Sequence, residues 1–102
     1  MSIRRACSYQ AEFTLPEDAE SYSAILVTIS QNRQPIINKD QTELELDGRK
    51  AILKLNQEET LLFSADAPAQ IQLRAYKSEY VAPGSRIWTI DVNPSLNEEV
   101  LP

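Results

Sequence analysis

Thr42-Glu43-Leu44-Glu45-Leu46-Asp47-Gly48-Arg49-Lys50-Ala51-Ile52-Leu53-Lys54-Leu55 is the stretch that decides the fold class. Two short runs of alternating apolar and polar residues flank Asp47-Gly48. Asp-Gly tolerates the positive φ angles of a two-residue hairpin turn. With Asp47 and Gly48 as the turn, Leu46 faces Arg49, Glu45 faces Lys50 and Leu44 faces Ala51. Leu44, Leu46, Ala51 and Leu53 then share one face, and Glu43, Glu45, Lys50 and Lys54 share the other. A three-residue loop would put Leu46 opposite Lys50 and Leu44 opposite Ile52, and the sorting would fail, because a one-residue slip moves every side chain to the other face. The Glu45–Lys50 pair would add about 0.2–1 kcal/mol. The stretch therefore specifies a half-buried antiparallel sheet, and no chemistry.

The same alternation extends outward. Toward the N-terminus, Ile3, Cys7, Tyr9, Ala11, Phe13 and Leu15 fall on one face and Arg4, Ser8, Gln10, Glu12 and Thr14 on the other. This predicts a long first strand over Ile3 to Leu15, with Arg5 the exception and Cys7 buried and unreactive. Pro16 ends it, and Glu17, Asp18 and Glu20 suit a solvated loop or one helical turn. Tyr22 to Ser30 contains a nearly continuous apolar run, the pattern of a central strand covered on both faces. Gln31 to Gln34 is a turn, and Pro35 to Asn38 a short strand whose proline suits an edge. Toward the C-terminus, Asn56 caps a short helical turn with Glu59 at its N3 position. Ala69 to Tyr76 places Ile71, Leu73 and Ala75 inward. Ser85 to Val92 places Trp88, Ile90 and Val92 inward and Ile87, Thr89 and Asp91 outward. Ser95-x-x-Glu98 is a capping box ahead of Leu96, Val100 and Leu101. About seven short strands with turn signals predict an all-β fold, a small antiparallel β-sandwich of immunoglobulin-like topology with a short C-terminal helical turn. A small β-barrel is the alternative. Residues 1–92 form the single domain and 93–102 a C-terminal tail.

The 102 residues include ten basic and fifteen acidic side chains, a net charge of −5. That balance argues against a nucleic-acid binder, whose affinity comes from clustered Lys and Arg. No apolar run approaches the roughly 20 residues that span a bilayer, and the N-terminus lacks the apolar core of a signal peptide. With one cysteine, Cys7, no intrachain disulfide can form, and a reducing site of synthesis is expected. There is no histidine, and Gly48 and Gly84 are the two glycines. General-base histidine chemistry, zinc and phosphate-cradling loops are thereby excluded. The carboxylates lack EF-hand spacing or a facing pair. No enzyme and no cofactor is expected. Tyr76, on the outward face of its strand, and Tyr80, in the loop beyond, are candidates for a recognition surface. Leu96, Val100 and Leu101 form an apolar stripe that either closes the domain or meets a partner.

The segments Leu53 to Phe63, Gln70 to Arg74, Ile90 to Val92 and Leu96 to Leu101, together with Ile3-Arg4-Arg5 and Phe13 to Pro16, resemble short accessory proteins encoded among the virion genes of tailed bacteriophages and prophages. The resemblance covers most of the chain through motifs that are individually weak. It implies synthesis in the host cytoplasm, a place in the virion or its assembly, and a protein partner, either a second copy or a virion component. It implies no active site and transfers no functional residue. The alternative is a stand-alone domain recognising carbohydrate or a host protein through its loops.

Overall fold

The computed structural model describes residues 2–65, 67–77, 80–81 and 86–94. Nine strands form among them: β1 (Ser2–Arg4), β2 (Tyr9–Thr14), β3 (Ala24–Gln31), β4 (Gln34–Asp40), β5 (Glu45–Asp47), β6 (Lys50–Leu55), β7 (Ala69–Lys77), β8 (Tyr80–Val81) and β9 (Arg86–Asn93). A 3₁₀ turn at Ala19–Ser21 and one short helix, α1 (Gln57–Thr60), complete the described elements. The fold is all-β. One sheet runs in the order β1-β9-β7-β3-β4, with β8 also paired to β7, and the other runs β2-β6-β5. All pairings are antiparallel except that of β1 with β9.

The strands form where the alternation predicts. On β3, Ile25, Val27 and Ile29 are buried while Ala24, Leu26, Thr28 and Ser30 are half-buried. Ile71, Leu73 and Ala75 of β7, and Ile90 and Val92 of β9, face the same core. From the other sheet Ala11, Phe13, Ala51, Leu53 and Leu55 join it, so the two sheets share one apolar cluster. The Phe13 ring on β2 meets Trp88 on β9 at 5.0 Å between centroids and 45° between planes, which ties the sheets face to face. The expected turn after β3 uses Asn32 and Arg33, both at positive φ (51° and 64°), the backbone a two-residue hairpin asks for. Pro35 sits on the edge strand at a register shift, where its missing N–H costs no ladder bond. At α1, Glu59 N donates to Asn56 Oδ1 (2.8 Å) and Asn56 N donates to Glu59 Oε1 (3.0 Å), the anticipated capping box.

Five expectations are corrected. The long first strand is two strands. It breaks at Arg5 to Ser8, where Ala6 takes a φ of +63°, and β1 crosses to the other sheet. The break lets Ile3 reach the core with 0% exposure and lets Arg5 N donate to Asn93 O at 2.9 Å. It also turns Cys7 out, so that residue is exposed rather than buried. The hairpin turn uses Gly48 and Arg49 rather than Asp47 and Gly48, and Leu46 faces Ala51. Gly48 has a φ of +58°, the first-position glycine of a type II′ turn. Glu45 consequently meets Lys54 (2.9 Å), and Lys50 lies 3.9 Å from Glu12 on β2. Thr42 and Glu43 are not strand, because the Asp40 carboxylate accepts from Thr42 N (2.9 Å) and holds a turn there. Finally, β3 has neighbours on both edges, but only one of its faces is fully buried. The capping box at Ser95, with Leu96, Val100 and Leu101, lies outside the described residues.

Candidate interaction face

The outer faces of the two sheets differ in chemistry. On β2-β6-β5 the outward rows are Gln10–Lys54, Glu12–Ile52–Glu45 and Thr14–Lys50–Asp47. Charges of both signs alternate across this surface, and its ion pairs are about half exposed. Such pairs contribute about 0–1 kcal/mol each and mark a solvated face.

The outer face of the larger sheet is mostly neutral, with Asp91 and Arg4 toward its β1 edge. Across β4, β3, β7 and β9 its rows are Ala24–Tyr76, Asp40–Leu26–Arg74, Asn38–Thr28–Gln72–Ile87 and Ser30–Gln70–Thr89. Ile87, near the start of β9, is 61% exposed. Leu26 and Tyr76 are half-buried by their neighbours alone, since no second layer covers them among the described residues. The two charges in these rows are already occupied in part. Asp40 accepts from the Thr42 hydroxyl and N–H, and these bonds hold its carboxyl below the usual carboxylate range. The Arg74 guanidinium lies 5.8 Å from the Tyr76 ring centroid. Thr28 Oγ1 donates to Asn38 Oδ1 at 2.8 Å, which satisfies the row between β3 and β4.

Of the residues expected at an interface, Tyr76 is on this face, and its carbonyl oxygen accepts from Ser23 N (2.8 Å) and Ser23 Oγ (3.0 Å). Tyr80 pairs with Lys77 through β8, one position from the Tyr76–Val81 pair. Leu26, Arg74 and Ile87 were not singled out as a site. The signal was present in Ile87, Gln70, Gln72 and Thr89, all outward and uncharged. It became readable only when β3, β7 and β9 were known to be adjacent.

The edge of this sheet at β4 is closed to casual pairing. Lys39, on the same side of β4 as buried Ile37, reaches across to Glu59 of α1 at 2.7 Å. Partial burial pushes the Glu59 carboxyl up, but the Lys39 ammonium and the Asn56 N–H outweigh it and leave the group below its ordinary value. An inward charge on an edge strand disfavours sheet extension there.

The cavities are shallow. One groove of about 430 Å³ is bordered by Ser8, Tyr9, Gln10, Lys54, Asn56 and Glu59. Of its polar groups, Asn56 and Glu59 are committed to the capping box and Lys54 to Glu45. Among the described residues no three His, Cys, Asp or Glu side chains come together as metal ligands, and no helix is long and apolar enough to cross a membrane. Comparisons of the chain with protein-family models, curated proteins and solved structures return no match.

Proposed function

We propose that this chain is a non-enzymatic structural or interaction module with an immunoglobulin-like β-sandwich, serving as a minor virion or assembly protein of a tailed phage or prophage. The observation that carries the interaction role is the largely neutral outer face of the larger sheet, which presents Leu26, Tyr76 and Ile87 among Thr28, Gln70, Gln72 and Thr89 with few charges, set against a densely charged face on the other sheet. Strands lie about 4.8 Å apart and rise about 3.3 Å per residue, so this face covers roughly 500 Å². Standard protein interfaces bury about 800 Å² per partner, so the face would form most of one side of a modest interface. The strand order supports the immunoglobulin-like reading. If β2, β5 and β6 are lettered B, D and E, and β3, β4, β7 and β9 are lettered C, C′, F and G, the sheets are BED and GFCC′. β1 then takes the place of a first strand that crosses to pair with the last. The phage setting rests on the sequence resemblance.

The test is incorporation. The protein should be found by mass spectrometry in gradient-purified particles of the phage that encodes it. Ile87→Glu should abolish incorporation while leaving the urea midpoint unchanged, since Ile87 is mostly exposed. Particles that lack the wild-type chain, or that carry Ile87→Glu at wild-type levels, would refute the proposal.

A further inference from the structure

We propose that β1 is exchanged between two copies of this chain, the Ser2–Arg4 strand of each copy pairing with β9 of the other. This extends the assembly reading above by naming a second copy as partner and β1 as the exchanged element. Three observations lead to it.

First, β1 is a detachable element. It is three residues long at the edge of its sheet, and one of its side chains, Ile3, is buried. Its remaining attachments are the parallel ladder to Asp91, Val92 and Asn93, Arg5 N to Asn93 O, and Arg4 Nη1 to Pro94 O at 2.9 Å. All of these acceptors belong to the β9 segment; in the connection itself, Arg5 Nη2 also donates to Leu61 O at 3.4 Å. A second copy presents the same set in the same geometry, with the same enclosed space for Ile3.

Second, the connection that folds β1 back is strained. Ala6 is held at a φ of +63°, a left-handed conformation that a β-carbon disfavours and that glycine or asparagine normally fills. Straightening Arg5 to Ser8 releases it.

Third, the sequence over this connection suits an extended chain. Ile3, Cys7, Tyr9, Ala11 and Phe13 keep the period of a single strand over residues 3–13 with Arg5 the one exception, whereas the folded-back form leaves Cys7 exposed. β2 is an edge strand, and its pairing with β6 ends at Tyr9–Leu55. A straightened chain would therefore run past the end of β6. The four residues Arg5 to Ser8 would carry β1 about 13 Å beyond the body. At that distance it cannot regain its own β9 but can reach another copy's. Each copy keeps the same ladder and the same buried isoleucine, so the balance is set by the hinge and the concentration, as in domain swapping generally.

The test uses Ser2 and Asp91, ladder partners with exposed side chains. Neighbouring strands bring such Cα atoms within disulfide range. The Ser2→Cys, Asp91→Cys pair is made in a Cys7→Ser background, refolded at micromolar and at millimolar concentration, and oxidised in air. Exchange predicts a covalent dimer on non-reducing gels that grows with concentration and becomes the major species at millimolar. A cross-link that stays within one chain at every concentration overturns the proposal. Two variants of the otherwise native chain decide the matter if the cysteine pair does not fold. Ala6→Gly should shift the dimer equilibrium toward monomer by about fivefold or more per hinge. Deleting Cys7 and Ser8 should give a dimer by light scattering even at micromolar concentration, and a folded, monomeric deletion variant overturns the proposal. These readouts need no particle, and Ile87→Glu should exchange normally, so failure of exchange and failure of the virion reading are told apart.

Discussion

Gln31→Ala tests the reasoning that joins strand pattern to loop structure. Gln31 occupies an inward position on β3 that its neighbours fill with Ile25, Val27 and Ile29, and it is 5% exposed. Its amide spans the two sides of the loop after α1. Nε2 donates to Ser64 O (2.7 Å) and Ala67 O (2.8 Å), and Oε1 accepts from Ser64 N (2.7 Å). One side chain thus satisfies three backbone groups that the loop cannot pair through a ladder. Each such bond contributes about 1 kcal/mol net, and a buried group left without a partner costs about 1–3 kcal/mol. Truncation to alanine should therefore cost about 3 kcal/mol. In a domain of this length that lowers Tm by about 12–24 °C, at about 4–8 °C per kcal/mol. With a urea slope of about 2 kcal/mol per molar, the midpoint should fall by about 1.5 M. Gln34→Ala, on the exposed side of the same turn, is the control and should stay within about 0.5 kcal/mol. A Gln31→Glu variant adds a pH signature. An ionised carboxylate cannot donate to the Ser64 and Ala67 carbonyls. The fold would favour its neutral form, so the loss should be smallest below the ordinary glutamate range of about 4.3 and grow as pH rises through it. Equal midpoints for Gln31→Ala and Gln34→Ala would refute this account of the loop.

Three further outcomes follow from the same structure. Leu53 is fully buried between the sheets, so Leu53→Ala should cost about 2–5 kcal/mol, whereas Lys54→Ala should stay within about 0.5 kcal/mol, both read from urea midpoints. The Tyr9 hydroxyl is buried with no hydrogen-bond partner among the described residues, and burial pushes its pKa up, so Tyr9→Phe should be neutral or stabilising by about 1 kcal/mol in thermal melts. The Glu59 carboxyl is held below its unfolded value by Lys39 and Asn56, so its contribution is present above the unfolded pKa and disappears as pH falls through the folded one. Acid titration of Glu59→Gln should show a shallower loss of stability below about pH 4 than wild type.

What the sequence by itself determined is the inner and outer face of almost every strand. Period-two alternation assigns a side chain to a face through local backbone geometry alone, and Ile71, Leu73, Ala75, Ile90 and Val92 all lie where it puts them. The α1 cap was legible for the same reason, since Asn56 and Glu59 are three residues apart and need nothing distant. The hairpin shows the limit of that argument. Pairing Leu44 with Ala51 and pairing Leu46 with Ala51 sort the faces identically, so alternation cannot choose between them. Contacts from outside the hairpin accompany the observed choice. Leu15 N donates to Arg49 O (2.7 Å), Arg49 Nε donates to Leu15 O (2.9 Å) and Ala19 N donates to Gly48 O (2.8 Å), so the turn is gripped by the segment that follows β2. The first strand shows the limit more sharply. Its alternation runs from Ile3 to Leu15 with Arg5 the one exception, and the chain turns at Ala6 because the free edge of β9 and a space for Ile3 lie in the other sheet. The interaction face belongs to the same class. Leu26, Tyr76 and Ile87 are far apart in sequence, and only the pairing of β3, β7 and β9 brings them to one face. Local periodicity encodes which way a side chain points, whereas which strands become adjacent depends on long-range burial shared among all of them.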